Sequence, residues 1–225
     1  MGVSAMGISD YINIGISVIS IVIALSALWQ TNQQLKLSNN QQLFDRRLNL
    51  YLLFITLLRL YKENKTILTS ERKESYIGSH LFVWLTNCSD LEDMADAIDK
   101  PLHSKEHKNL LVKCEKLRNA SVEASMIFDS EEGKNVSDFI KTYSDFLKAL
   151  YQQQVYLASR EKNDQGMPLL LEEYRKDCHQ MAEHLELFKL HDRLDELMKE
   201  IDAKGIAERL KEKTCLLKHH QWKSL

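Results

Sequence analysis

The apolar positions of this sequence form one long uncharged run near the N-terminus, followed by a series of helical patterns. From Ile12 to Trp29 the chain carries no charged side chain and is dominated by Ile, Val, Leu, Ser and Ala. A helix of this length covers most of the hydrocarbon thickness of a bilayer, which is about 30 Å. Tyr11 and Trp29 flank the run, where interfacial aromatic side chains are expected. The pattern predicts one N-terminal transmembrane helix.

A cleaved signal peptide is the main alternative for this run. Such a peptide needs basic residues before the apolar stretch and a small-residue cleavage site after it. No Lys or Arg precedes Trp29, and Trp29-Gln30-Thr31 is a poor cleavage site. Met6 stands where N-myristoylation requires Ser or Thr. The run is therefore expected to remain in the protein as a span, without a lipid anchor.

The small and polar residues of the run share one helical face. They follow one another at alternating intervals of four and three residues, a period that keeps a face inside a left-handed supercoil. We call this surface the small-residue face, and its members are Asn13, Ser17, Ser20, Ala24, Ala27, Thr31 and Gln34. Small residues allow helices to approach closely in lipid, so the face predicts self-association, with a water-lined pore as the stronger form. The alternative is an ordinary span whose Ser side chains bond to their own backbone.

Positive charges appear only after the apolar run. The first of them are Lys36, Arg46, Arg47, Arg59, Lys62 and Lys65. By the positive-inside rule, the N-terminus faces outwards and the remainder of the chain lies on the cytoplasmic side of an inner membrane. Four glycosylation patterns, beginning at Asn64, Asn87, Asn119 and Asn135, favour the opposite orientation. We give the charges more weight and predict a cytoplasmic C-terminal domain.

Beyond the run the patterns indicate an all-α protein. The chain has only 7 Gly and 2 Pro in 225 residues, too few for a fold rich in turns. We expect the transmembrane helix to continue into a stalk and then into a cytoplasmic helical bundle. The predicted regions are residues 1–30 (N-terminal tail and transmembrane helix), 31–66 (helical stalk entering the bundle), 67–204 (bundle) and 205–225 (basic C-terminal tail helix).

Apolar residues crowd almost every side of the predicted helix between Leu43 and Leu60, which is typical of a helix at the centre of a core. A second span is the alternative, but the segment is short and carries Arg59. Further along, Ser89 and Glu92 have the spacing of a capping box and predict the start of a helix.

The composition and motifs give little indication of a catalytic, metal-binding or nucleic-acid-binding site. A net charge of −2 argues against a nucleic-acid-binding protein, which needs a basic surface. His103, Glu106 and His107 match the H-x-x-E-H motif, in which two zinc-binding imidazoles accompany a general-base Glu. They follow Pro101 and are expected in an exposed first turn of a helix. They are therefore weak metal candidates, and we predict no metal, no cofactor and no enzymatic activity.

Histidine and cysteine residues elsewhere are expected to be structural. His179 and Glu183 share a face of a predicted amphipathic helix, and both, together with His191, are predicted to lie at its surface. The four cysteines contain no C-x-x-C pair and are expected to be small core residues.

The segment Leu43-Phe44-Asp45-Arg46-Arg47-Leu48-Asn49-Leu50-Tyr51 resembles a pattern in a loose group of small bacterial membrane proteins. These proteins have one span, a polar helical stalk and then an L-F-x-x-R-x-x-x-Y helix, to which Phe44, Arg47 and Tyr51 correspond here. Some of them look like membrane components of anti-phage defence loci. The resemblance implies that these three residues form a structural or partner-binding motif. It also implies a role in antiviral defence.

The leading functional hypothesis is an oligomeric inner-membrane protein whose cytoplasmic helical domain binds a protein partner or a nucleotide signal. A membrane-disrupting effector of anti-phage defence is its most specific form. The first alternative is a passive membrane anchor or scaffold for a partner enzyme, and the second is a metal-dependent hydrolase. Direct contact with nucleic acid is not expected.

Overall fold

The chain is helical throughout the part that the structure, a computed structural model, describes. These residues are 8–73, 80–98, 100, 103–128, 130–163 and 171–221, and they contain helices and turns but no strand. The elements are α1 (Ile8–Lys73), α2 (His80–Leu85), a 3-10 helix (Glu92–Ala97), α3 (Lys105–Ile127), α4 (Ser130–Asn163), α5 (Leu171–His184), α6 (Leu187–Ala203) and α7 (Ile206–Gln221). The predicted all-α class is confirmed for this part of the chain.

The chain divides into two compact units, Met1–Arg46 and Arg47–Leu225. The described part of the first unit belongs to α1, and its side chains from Gly15 to Leu43 are all exposed. Within the described residues, α1 is the one helix long and apolar enough to cross a membrane, judged by length and composition. The helix continues past Trp29 without a break, as predicted for the stalk.

The second unit has a hydrophobic core to which each of its helices contributes. The predicted central burial of the crowded apolar segment is confirmed in part, because Leu50, Phe54, Leu57, Leu58 and Leu60 are buried whereas Leu43 and Leu52 are exposed. Tyr61, which follows the segment, is also buried. The ring of Phe139 on α4 meets those of Phe54 and Tyr61 edge to face, with centroids 5.8 and 6.3 Å apart. Such edge-to-face pairs add to the stabilisation from burial alone. Tyr143, one turn after Phe139, is buried and donates its hydroxyl to the carbonyl oxygen of Leu85 at 2.7 Å.

The end of α3 lies close to the first turn of α4. A Cβ atom placed on Gly133 would stand 2.9 Å from the carbonyl oxygen of Ala124 and 3.0 Å from that of Phe128. Both atoms belong to the backbone and cannot rotate away. Glycine is therefore required at this approach for steric reasons.

The predicted capping box of Ser89 and Glu92 is wrong. The 3-10 helix starts at Glu92 after Leu91, and no side chain caps it. Backbone turns take over instead: the amide of Leu91 donates to the carbonyl of Cys88, and the amide of Met94 donates to that of Leu91, both at 2.9 Å. The amides of Leu91 and Met94 are thus bonded in three-residue turns, without a side-chain cap at the start of the element.

The turn between α6 and α7 agrees with the sequence. Gly205 adopts a left-handed φ of 58°, a conformation that glycine tolerates best after a helix. The amide of Gly205 donates to the carbonyl of Asp202 at 3.1 Å. The predicted end at Gly205 and the tail helix are both found, and the last part of the tail, from Trp222 onwards, lies outside the described residues.

Candidate membrane segment and polar clusters

The small-residue face lies on the part of α1 that belongs to the first unit. All its predicted members are exposed: Asn13, Ser17, Ser20, Ala24, Ala27, Thr31 and Gln34. One chain therefore leaves the whole face accessible. The spacing predicted from the sequence places these residues along one side of the helix.

The hydroxyl groups of this face donate to their own helix. Ser17, Ser20 and Thr31 each bond to the backbone carbonyl four residues earlier, at 2.8, 2.9 and 2.8 Å. Ser26, which lies outside the face, does the same at 2.8 Å. Each hydroxyl thus has its donor satisfied and keeps lone pairs that accept hydrogen bonds. A second helix would find small side chains and acceptors on this face rather than unused hydroxyl donors.

The remaining surface of the run consists of large apolar side chains. Nine of them are exposed between Ile16 and Trp29, with exposed fractions from 54% to 67%. They are Ile16, Val18, Ile19, Ile21, Val22, Ile23, Leu25, Leu28 and Trp29. Burying an aliphatic side chain of this size is favourable by about 1.5–3 kcal/mol. The run therefore has a strong tendency to leave water, and no described residue of its own unit covers it.

The predicted motif residues divide between the two units. Phe44, in the first unit, is half-buried. Arg47 and Tyr51, in the second, are also half-buried, and Tyr51 packs against the core. The buried Nε of Arg47 has no hydrogen-bond partner among the described residues.

The H-x-x-E-H segment forms the first turn of α3. Ser104 caps this helix by accepting a hydrogen bond from the amide of His107 at 3.1 Å. The ring Nδ1 of His107 pairs with the hydroxyl of Tyr151 on α4. Hydrogen bonds from its own backbone amide and from Ser104 lower the pKa of Glu106, which lies at the surface. His103 is exposed, as the sequence predicted.

No group of three His, Cys, Asp or Glu side chains is placed to hold a metal ion within the described residues. The hydrogen bond between His107 and Tyr151 joins α3 to α4, so the imidazole of His107 has a structural contact. Among the residues that the structure describes, nothing supports an enzymatic activity.

The surface position predicted for His191 is wrong. Its side chain is buried, and its ring lies 6.3 Å from that of Tyr61 and 6.5 Å from that of Phe146. The sequence contained a signal for this position, because His191 falls between the buried Leu187 and Leu194 at intervals of four and three residues. His179 and Glu183 do share a face, and Nε2 of His179 lies 3.5 Å from Oε1 of Glu183.

A cluster of opposite charges joins the first turn of α4 to α7, and no pattern in the sequence indicates it. Glu132 is only 5% exposed, and its carboxylate lies 2.6 Å from Nζ of Lys213 and 3.6 Å from Nε of Arg209. Beside it, the exposed Glu131 pairs with Lys204 at 3.0 Å. This pairing lowers the pKa of Glu131. We call these residues the α4–α7 charge cluster.

A second set of ion pairs joins α1 to α6 within the second unit. Lys62 pairs with Asp202 at 2.6 Å, and Lys65 pairs with Asp195 at 2.9 Å. Burial would raise the pKa of Asp195, but hydrogen bonds from Lys65 and Lys199 outweigh it and lower that pKa. Burial and the nearby Asp195 raise the pKa of Tyr61 well above its usual range.

These features define a helical protein with one candidate membrane span and a helical unit that holds together through its own core. No protein-family model, curated protein or solved structure matches the chain. Its function must therefore be inferred from its own residues.

Proposed function

We propose that the chain is an oligomeric, single-pass protein of a bacterial inner membrane, with its N-terminus outside and its helical bundle in the cytoplasm. The observation that carries the proposal is the uncharged run of α1, whose described side chains are all exposed. On the membrane-insertion scale each Ile, Leu or Val contributes about 0.3–0.6 kcal/mol, so the eight exposed aliphatic side chains of the run favour insertion by about 2–5 kcal/mol in total. A bilayer accommodates such a helix because its backbone groups are bonded within the helix.

Membrane insertion is tested by a charge placed at the centre of the run. An Arg there disfavours insertion by about 2.5–3.5 kcal/mol. We expect Ile21→Arg to move much of the protein from the membrane fraction to the soluble or degraded fraction after an alkaline carbonate wash. Leu35→Arg is the matched control, because Leu35 is equally exposed on the same helix but lies beyond the run. Equal extraction of both variants and the wild type would contradict insertion of this segment.

The proposed orientation rests on the positive charges, all of which follow the run. The glycosylation patterns offer a direct test. Asn87 is exposed in the turn after α2, whereas Asn135 is buried and donates to the carbonyl of Glu131 at 2.9 Å. In a eukaryotic microsome system we expect no glycan at Asn87, and a glycan on an acceptor site fused to the N-terminus. A glycan found on Asn87 and not on the N-terminal site would show that the protein has the opposite orientation.

Self-association is proposed through the small-residue face. Since its hydroxyl donors are already bonded to the helix, close packing of small side chains is the main contribution expected. Replacing Ser17 and Ser20 by Leu fills the face and should reduce the oligomer to monomers in detergent. The control replaces Val18 and Val22 by Leu on the opposite side of the helix and should leave the oligomer intact. Unchanged oligomers in the Ser17→Leu, Ser20→Leu variant would refute this interface.

The most specific form of the proposal is a membrane-disrupting effector of anti-phage defence, with a protein or nucleotide signal bound by the bundle. It is supported by the resemblance of residues 43–51 to small membrane proteins of defence loci. Overproduction in bacteria should then depolarise the membrane, and the Ser17→Leu, Ser20→Leu variant should depolarise it less. A passive scaffold for a partner enzyme is the second candidate. It predicts full membrane insertion with no change in membrane potential.

A further inference from the structure

The described side chains of α7, from Ile206 to Thr214, contact the rest of the second unit in two ways, by apolar packing into the core and by ion pairs. Ile206, Leu210 and Thr214, one turn apart, are its buried side chains in the described part. Arg209 and Lys213 bind Glu132 on α4. The described part of α7 thus has an apolar side and a charged side on which three basic residues, Arg209, Lys211 and Lys213, outnumber two acidic ones, Glu208 and Glu212. A helix of this type lies well at the interface of an anionic membrane.

The basic residues before and after Gly205 bind different carboxylates of α4. Lys204 lies before this glycine and pairs with both Glu131 and Glu200, at 3.0 and 2.6 Å. Arg209 and Lys213 lie after it and pair with Glu132. The turn is sterically open, because a Cβ atom placed on Gly205 would have only Oε2 of Glu208 nearby, at 3.9 Å. A movement at Gly205 would release the two pairs of Glu132 and leave the pair of Glu131 intact.

Both kinds of contact that hold α7 can be replaced by a lipid surface. The cations that bind the Glu132 carboxylate can bind phosphate-bearing headgroups, since both partners are oxyanions. Ile206 and Leu210 can enter the boundary between headgroups and acyl chains. The proposed span would hold the unit near such a surface, which raises the effective concentration of headgroups.

We propose that α7 is a releasable helix that exchanges the carboxylate of Glu132 for anionic lipid headgroups. The inference rests on the proposed membrane location and extends it, because it makes the second unit sensitive to the lipid composition of the membrane. Each Lys or Arg near an anionic surface favours the bound state about fivefold. Arg209, Lys211 and Lys213 favour this state, whereas Glu208 and Glu212 oppose it. The net of one positive charge favours it about fivefold, against the loss of the pairs with Glu132.

The test is carboxylate labelling with a carbodiimide and an amine, using the full chain in vesicles. Glu132 is 5% exposed and Glu131 is 58% exposed, so the neighbouring residue is an internal control. In vesicles of phosphatidylcholine with added phosphatidylglycerol, we expect labelling of Glu132 to rise at least about fivefold over phosphatidylcholine alone. Labelling of Glu131 should stay constant. A lipid with a photoreactive headgroup should at the same time form adducts on residues 206–214.

Variants separate the exchange from general loosening of the fold. In an Arg209→Gln, Lys213→Gln protein, labelling of Glu132 should no longer depend on lipid composition. Lys213→Arg, which keeps the charge, should retain the dependence. Lys176→Gln, at an exposed position on α5, should behave like the wild type.

Three results would overturn the inference. Labelling of Glu132 could be the same in both vesicle types, or it could rise together with that of Glu131, which would indicate general opening. Inorganic phosphate added to phosphatidylcholine vesicles could also reproduce the effect, which would assign the cations to a soluble anion. Failure of the anchoring proposal is distinguishable, because alkaline carbonate would then extract the protein. A chain that stays inserted with unchanged labelling refutes the exchange alone.

Discussion

Replacing Gly133 by Ala tests the close approach of α3 and α4 most sharply. The new Cβ would lie 2.9 and 3.0 Å from the carbonyl oxygens of Ala124 and Phe128, both of which are backbone atoms. The two helices must therefore move apart by several tenths of an ångström. Overpacking of this kind costs about 1–3 kcal/mol. Alanine recovers about 1 kcal/mol of helix propensity, so the net loss in the free energy of unfolding is about 1 kcal/mol.

The measurement is thermal and urea unfolding of the full chain in detergent, followed by circular dichroism. A loss of about 1 kcal/mol lowers Tm by about 2–4 °C for a unit of this size. Gly15→Ala is the control on α1, because no atom lies within 4 Å of its Cβ position, and it should not lower Tm. Gly133→Ser, with a bulkier side chain, should lower Tm further than Gly133→Ala. If Gly133→Ala raises Tm, the steric reasoning is refuted.

Two further predictions concern polar groups of the second unit. Tyr143→Phe removes the hydroxyl that donates to the carbonyl of Leu85 at 2.7 Å, and it should reduce the free energy of unfolding by about 1–2 kcal/mol. The control is Tyr156→Phe, at an exposed position, which should change the free energy of unfolding by less than about 0.5 kcal/mol. Equal unfolding curves for these variants would contradict the importance of that bond. Asp195 has a pKa below its ordinary value of 3.8, so its pairing with Lys65 stabilises the fold above that pH and is lost as the pH falls through the lower, folded pKa. Asp195→Asn should therefore cost up to about 1 kcal/mol at pH 7, and its difference from the wild type should shrink as the pH falls below 3.8, as measured by urea unfolding across that range. A difference independent of pH would refute the electrostatic assignment.

Helical periodicity predicted most of the fold because local spacing largely determines which faces are buried. The crowded residues around Phe54 and Leu57 were expected in the core and are found there. Periodicity also indicated that His191 is buried, because it lies four residues after Leu187 and three residues before Leu194, both of which are buried. The prediction failed because it rested on the usual exposure of a polar imidazole rather than on this spacing. Here the ring of His191 packs against the rings of Tyr61 and Phe146.

The α4–α7 charge cluster could not be predicted in the same way. Glu132 and Lys213 are 81 positions apart, so no local pattern relates them. Acidic and basic residues are also common along this chain, and most are exposed. The pairing of the buried Glu132 with basic residues can be recognised only in the folded structure, where α7 lies beside the first turn of α4. The capping prediction at Ser89 failed because the chain forms three-residue backbone turns here, and the 3-10 helix starts after Leu91 rather than after Ser89.

The hydrogen bonds of Ser17, Ser20 and Ser26 to their own helix affect the partitioning of the apolar run between water and hydrocarbon. A hydroxyl with no partner is strongly disfavoured in an alkane, by several kcal/mol. In this helix each donor keeps its carbonyl partner during transfer, so most of that penalty does not arise. The free energy of transfer of this run into hydrocarbon should therefore be close to that of the same helix with Ala at the serine positions. Hydrophobicity scales that treat each serine hydroxyl as unbonded would give a less favourable value. The serine hydroxyl groups of the small-residue face therefore reduce the apolar character of the run only slightly.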